Sequence, residues 1–273
     1  MNGVAAGALP DGTPVIISSG RGREFYLGGG GTLRVWRLAD GTRVDGTRVM
    51  PYTGHDYRVQ ILAAVALPNG TPVIISSGDD TVQVCKADGF PGAGWRPLTG
   101  HPSGVTAVAV AALPDGTPVI ITKGGDGGVR VWRLADGTQV GERLAGHEGV
   151  TAVVGGALLD GTPVIISGGG DGTVRVWRLA DRTQVGEPLT GHDGPVTAVA
   201  AGALPDGTPV IISGGRDRTV RVWRTTDGAP LVPPLDLPES VKAIAIDGNV
   251  IITAAGADIA VHQPALASPV RLT

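Results

Sequence analysis

Short apolar runs and polar, glycine-marked turns alternate along the chain in a fixed order. Val196 to Arg224 reads VTAVAAGALPDGTPVIISGGRDRTVRVWR. It opens on an Ala-rich run of small side chains, which predicts a strand on a crowded inner wall. A Leu-Pro-Asp-Gly-Thr-Pro turn follows, then Val210-Ile211-Ile212-Ser213, a β-branched run that predicts a strand buried on both faces. After a Gly-rich turn, Thr219 to Trp223 alternates with a period of two, the mark of a half-buried strand. A second Asp-Gly turn (Asp136-Gly137, Asp227-Gly228) leads into a polar outer strand such as Gln139-Val140-Gly141-Glu142. Asp-Gly between alternating runs is a strong hairpin signal. Each unit therefore predicts four antiparallel strands, small inside and polar outside.

The unit recurs. Val150 to Arg178 aligns with Val196 to Arg224 and differs at five positions, and Trp132, Trp177 and Trp223 stand 45 and 46 residues apart. A period of this size predicts a repeat architecture. Wedge-shaped units repeated radially close a propeller and leave little free sheet edge. The expected fold is all-β, a β-propeller of about six four-stranded antiparallel blades. It forms one domain, 1–273, with repeats near 1–53, 54–99, 100–145, 146–190, 191–236 and 237–273. Aligning Val4-Ala5-Ala6-Gly7 with Val199-Ala200-Ala201-Gly202 puts Met1 inside a first strand, so a natural start upstream of Met1 stays open. The segment from Ala267 to Thr273 can supply an outer strand for the sixth blade, and the seam between first and last blades is expected to be the weakest.

The Gly-His pairs (Gly54-His55, Gly100-His101, Gly146-His147, Gly191-His192) and Val-Trp pairs (Val35-Trp36, Val131-Trp132, Val176-Trp177, Val222-Trp223) give the chain a resemblance to the WD-repeat β-propeller family, in a highly self-similar, bacterial-type form. The chain departs from that pattern in carrying Arg37, Arg133, Arg178 and Arg224 after each Trp, where the family has Asp. The resemblance implies a buried network of His, Asp, Ser or Thr, and Trp in each blade. The sets are His101, Thr122, Asp126, Trp132; His147, Ser167, Asp171, Trp177; and His192, Ser213, Asp217, Trp223. The second repeat keeps His55, Ser76 and Asp79 but has Cys85 in place of Trp; the first keeps only Ser18 and Trp36; the sixth has His262 at the Trp position, with no partner set expected around it. The chemistry is sound in itself, because a buried carboxylate needs donors that imidazole, hydroxyl and indole groups supply and relay.

Charge and composition narrow the function. The net charge is −3 with no run of Lys or Arg, which argues against nucleic acid as ligand. Gly (45) and Pro (21) fall at fixed offsets, which makes them turn residues and not signs of disorder. Cys85 is the single cysteine, so no intramolecular disulfide forms; at a Trp position it reads as a small buried hydrophobe. No apolar run approaches a membrane span and the N-terminus does not read as a signal peptide, so a cytoplasmic protein with no membrane partner is expected, as a monomer.

His147, Asp171 and Ser167 superficially resemble a hydrolase triad, but the same set recurs in several repeats, so a structural role is preferred and no catalytic residue is assigned. Each Gly/Asp turn offers about one carboxylate, so no metal is expected; the turns lack the sequel of a phosphate-binding loop, and no cofactor is expected. Strand order puts the outer-to-inner loops and the second-to-third-strand turns on one face. The other face gathers Asp11, Asp40, Asp88, Asp115, Asp136, Asp160, Asp181, Asp206 and Asp227, with the four post-Trp arginines as neutralising neighbours. On the first face the repeats differ most. Arg216 and Arg218 replace Gly170 and Gly172, and the first repeat swells from Ser19 to Leu27 with Arg21, Arg23, Phe25 and Tyr26. These residues, with Tyr57 and Arg58, are the candidate partner-binding set, since Arg and aromatics anchor interfaces; the alternative is that Phe25 and Tyr26 plug the mouth of the ring. The resemblance implies a non-enzymatic scaffold for protein or peptide partners. Alternatives are a sensor fragment of a larger signalling protein, and a propeller hydrolase or lactonase. The Ala, Val and Gly of the inner strands disfavour the last.

Overall fold

Every element among the described residues is a β-strand, and no helix among them is long and apolar enough to cross a membrane. The computed structural model describes residues 3–8, 13–21, 31–37, 39, 40, 42, 61–66, 72–78, 81–86, 98–101, 103–144, 146, 147, 149–204, 206–247 and 250–262. The chain falls into two compact units, Met1–Leu144 and Ala145–Thr273.

In the first unit, β1 (Gly3–Ala8), β2 (Pro14–Arg21) and β3 (Gly31–Arg37) form one antiparallel sheet. A second comprises β4 (Ile61–Ala66), β5 (Pro72–Gly78), β6 (Thr81–Lys86) and β7 (Leu98–Thr99), and a third β8 (Val105–Ala112), β9 (Pro118–Gly124) and β10 (Val129–Arg133). In the second unit, β11 (Val150–Ala157), β12 (Pro163–Gly169) and β13 (Val174–Arg178) pair in order. They are followed by β14 (Val196–Ala203), β15 (Pro209–Gly215), β16 (Thr219–Arg224) and β17 (Leu235–Asp236), and by β18 (Val241–Asp247), β19 (Val250–Ala255) and β20 (Asp258–His262). Within each unit the first strands of successive sheets are neighbours: β4 lies against β1 and β8, and β14 against β11 and β18.

The period-two pattern explains how sheets stack. On β15, Val210 and Ile212 face forward with Val220 and Val222 of β16, onto Val241 and Ile251 of the following sheet. Ile211 and Trp223 face back, onto Val164, Ile166, Val174 and Val176. In the first unit Val73, Ile75, Val82 and Val84 meet Val105, Ile120 and Trp132 in the same way. The middle strands β5, β9, β12 and β15 are thus covered on both faces, as their continuous Val/Ile runs predict, and each such side chain contributes about 1.5–3 kcal/mol of burial. A register shift on β11 between Val150 and Ala152, and on β14 between Val196 and Ala198, lifts one threonine out of the ladder. The hydroxyls of Thr151 and Thr197 use that freedom to donate to Val196 and Val241 carbonyls of the next sheet.

Two expectations need correction. Among the described residues, four strands per sheet are found only where β7 and β17 form, and each of these has two residues. Beside β10 and β13 the outer segment touches at isolated bridges, Gln139 to Trp132 and Leu144 to Val129, Gln184 to Trp177 and Leu189 to Val174. Gly141 and Gly186, at φ 64° and 67°, bend the segment between its two bridges. In the first repeat, Ser19, Gly20 and Arg21 belong to β2, paired with Leu33, Thr32 and Gly31, because the hairpin ladder continues past the length seen elsewhere.

Candidate functional site

The His, Asp and hydroxyl residues meet at one end of the second and third strands. In the fourth repeat, Ser167 and Ile165 share a face of β12, and Trp177 sits opposite Ile165. The indole therefore reaches diagonally to the serine, its Nε1 donating to Ser167 Oγ at 2.8 Å. His147 Nε2 stands 2.8 Å from the same oxygen, and Nδ1 donates to Asp171 Oδ1 at 3.2 Å. The fifth repeat has the same geometry: Trp223 to Ser213 2.8 Å, His192 Nε2 to Ser213 2.8 Å, Nδ1 to Asp217 Oδ2 2.9 Å. Since indole can only donate, the serine hydroxyl passes its own proton to Nε2, and both histidines are Nδ1–H tautomers.

These sets have further members that the Gly-His and Val-Trp spacing does not mark. Thr173 Oγ1 donates to Asp171 at 2.9 Å and Thr219 Oγ1 to Asp217 at 3.0 Å, while Arg175 Nη2 contacts Asp171 at 3.3 Å. The signal was available, since an Asp two residues before a Thr is a turn in which hydroxyl and amide both reach the carboxylate. A side chain on Gly169 would bring its Cβ within 2.2 Å of both His147 Nδ1 and Asp171 Oδ1; Gly124 and Gly215 stand in the same place in their repeats. The glycine two residues after each Ser or Thr makes room for the His–Asp pair.

The third repeat departs from the expected pattern. Trp132 and His101 both reach Thr122 Oγ1 at 2.7 Å, but His101 Nδ1 lies 3.7 Å from Asp126. Arg130 stands between them, with Nη1 donating to His101 Nδ1 at 2.7 Å and Nη2 to Asp126 Oδ2 at 3.0 Å. Here Nδ1 must accept, so His101 is the Nε2–H tautomer, and Thr122 turns its proton to the Arg130 carbonyl at 3.4 Å. The sixth repeat also corrects an expectation. His262 has a partner, since Thr253 Oγ1 lies 2.9 Å from its Nε2 and Thr253 is buried.

Burial holds the imidazoles of His101, His147 and His192 below the ordinary value, against the pull of Asp171 and Asp217 in the last two. Burial pushes Asp171 and Asp217 upward, but the donors around them prevail and both end lowered. Among the described residues no group of three or more His, Cys, Asp or Glu is placed to hold a metal ion.

At the opposite turns, Asp115, Asp136, Asp160, Asp181 and Asp206 each accept from the threonine two residues on. Of the four post-Trp arginines, Arg224 alone makes an ion pair among the described residues, 2.7 Å from Asp227. At the other end, Arg216 and Arg218 are exposed on the β15–β16 turn. Ser76 is buried on β5, Arg21 ends β2, Cys85 lies opposite Ile74, and Trp36 is half-buried. His55, Asp79, Arg23, Phe25, Tyr26, Tyr57 and Arg58 lie outside the described residues.

Residues 95–133, 137–178 and 183–224 match the model of the WD domain, G-beta repeat. No curated protein sequence matches the chain. Among solved structures, the chain is similar to that described as "Structure of U3-55K", with TM-score 0.68, 22% identity, and coverage of 95% of this chain and 76% of the other. The crystal structure of RRP9 WD40 repeats gives 0.68, 22%, 95% and 75%. The computationally designed Ika8 protein gives 0.64, 23%, 94% and 69%. Three segments of the chain therefore match the WD-domain, G-beta repeat, and the chain has the fold of WD40-repeat structures.

Proposed function

We propose that the chain is a non-enzymatic WD-repeat binding module, a β-propeller of about six blades whose outer-to-inner loops and second-to-third-strand turns form a face for protein or peptide partners. One observation carries this reading. The His, Asp and Ser groups that could do chemistry are tied to one another inside each described network, while the turn beside them carries exposed Arg216 and Arg218 where the preceding repeat has glycine. The buried set is thus tied to the fold, and the variable, exposed set is free to bind. Arg21, Arg23, Phe25 and Tyr26 of the first repeat, with Tyr57 and Arg58, extend the same face on strand order.

The test is affinity capture with mass spectrometry, using the wild-type chain and a variant with Arg21, Arg23, Phe25 and Tyr26 changed to Ser or Gly. Loss of the captured partner at unchanged melting temperature supports the reading. A large drop in melting temperature with the partner retained shows instead that the loop is a plug.

A further inference from the structure

We infer that the β15–β16 turn of the second unit docks an acidic protein segment, Arg216 and Arg218 each taking one of its carboxylates. The inference rests on the binding-module reading and specifies its partner's chemistry.

The turn is held in a conformation that does not favour arginine. Its fourth position is left-handed in three repeats: Gly127 at φ 72°, Gly172 at φ 76° and Arg218 at φ 66°. Glycine takes that conformation freely, whereas a side chain is strained there. Arg218 therefore sits where the fold itself prefers glycine, and strain of this kind collects at functional positions.

The backbone of the turn is also preorganised and the two guanidiniums are unspent. The turn backbone is pinned on both sides. Arg216 N donates to Pro195 O at 2.9 Å, Ser240 Oγ to Arg216 O at 3.2 Å, and Leu237 N to Arg218 O at 2.8 Å. Both residues are exposed, and neither makes an ion pair among the described residues. Asp193, Asp236 and Glu239 on the flanking loops are exposed but come into ion-pair contact with neither. With the backbone already pinned, binding has only the two side chains left to order.

The local donors favour separate carboxylates over one phosphate. The Asp217 carboxylate lies between the arginines in sequence, accepting from Thr219 N at 3.1 Å and Asp193 N at 3.0 Å. The amides of Arg216 and Arg218 bond Pro195 and Gly215 carbonyls. The amides of Arg216, Arg218 and Thr219 are thus engaged, and the Asp217 carboxylate repels a dianion. Each guanidinium can still form a two-point contact with a single carboxylate.

The experiment uses a fluorescein-labelled ten-residue poly-Glu peptide, read by anisotropy against the full chain at low salt. The expected result is binding that weakens as salt rises and falls at least tenfold in Arg216→Gly/Arg218→Gly. That variant should melt higher by roughly 2–4 °C, because the strain is relieved. A charge-matched control, Arg133→Gly/Arg178→Gly, should bind as wild type does. Equal binding by the turn variant, equal loss in the control, or tighter binding of a phosphoserine peptide than of poly-Glu each overturns the inference. These outcomes leave the capture result above untouched, so the two ideas fail separately.

Discussion

The Arg130 guanidinium donates to Nδ1 of His101 at 2.7 Å and to Asp126 at 3.0 Å, the carboxylate position that a threonine hydroxyl serves in the next two repeats. Gly128 aligns with Thr173 and Thr219, and a Cβ there would stand 3.1 Å from Arg130 Nη1. The missing hydroxyl leaves a space that arginine fills. The same exchange occurs at the opposite turn. Thr138 and Thr183 hydroxyls donate to Asp136 and Asp181 at 2.7 Å, but Ala229 has none, and Arg224 reaches Asp227 at 2.7 Å instead. When a turn loses its hydroxyl, the third-strand arginine supplies the donor its aspartate requires.

The histidine tautomers follow from this exchange. His147 and His192 should carry the proton on Nδ1 and His101 on Nε2, and long-range nitrogen–proton NMR distinguishes the two. Gly128→Thr should displace Arg130 and convert His101 to the Nδ1–H form. An unchanged His101 pattern in that variant would show that Arg130 does not set the tautomer.

Removing His192 should cost roughly 1–3 kcal/mol, since Asp217 and Ser213 each lose a partner in a buried site. His262→Ala should cost less, because one hydrogen bond to Thr253 is at stake. Urea midpoints compare them directly; equal losses would mean that the carboxylate adds nothing to the network.

Much of this was legible in the sequence because each element has a local cause. The Val/Ile runs marked the buried middle strands, and the Asp-Gly-Thr turns marked the hairpins. The Gly-His and Val-Trp spacing brought His147, Ser167, Asp171 and Trp177 to one place. The Arg130 substitution was not legible, because it depends on whether an empty volume beside Asp126 lies within reach of a side chain two residues along β10. Nor were the broken outer strands, since a glycine in a polar segment reads equally as strand or kink until its φ is known. The Thr253–His262 bond was hidden for a related reason: the sixth repeat lacks the motif, but keeps the register that sets the two residues diagonally across β19 and β20.

Stability should fall in mild acid. The folded chain holds His101, His147 and His192 below their ordinary value of about 6.5, so below that pH the unfolded chain takes up protons that the folded one refuses. Each contributes a slope of at most about 1.4 kcal/mol per pH unit, and stability is lost as pH drops from about 6.5 toward the folded values. Asp126, Asp171 and Asp217 are lowered too, so their contribution is full above the ordinary carboxylate value and is lost further down, as pH falls through their folded values. Urea midpoints should therefore begin to drop near pH 6.5 and drop again below about 4. His147→Asn/His192→Asn should flatten the first stage; an unchanged slope in that variant would assign it to other groups.

The last sheet exposes a surface that its predecessors bury. Val220 and Val222 of β16 are 2% and 4% exposed beneath β18 and β19, whereas Ile259 and Val261, at the same register on β20, are 76% and 65% exposed. Burial of such side chains is worth about 1.5–3 kcal/mol each, so Val220→Thr and Val222→Thr should both destabilise the chain. Ile259→Thr/Val261→Thr should leave the melting temperature nearly unchanged and reduce both self-association and binding of an apolar dye, since a contiguous exposed apolar face favours association. With that face uncovered within the second unit, β18, β19 and β20 should also exchange amide hydrogens faster than β14, β15 and β16. A loss of melting temperature in the β20 variant as large as in the β16 variants, with slow exchange across β20, would show that another sheet covers Ile259 and Val261 in solution.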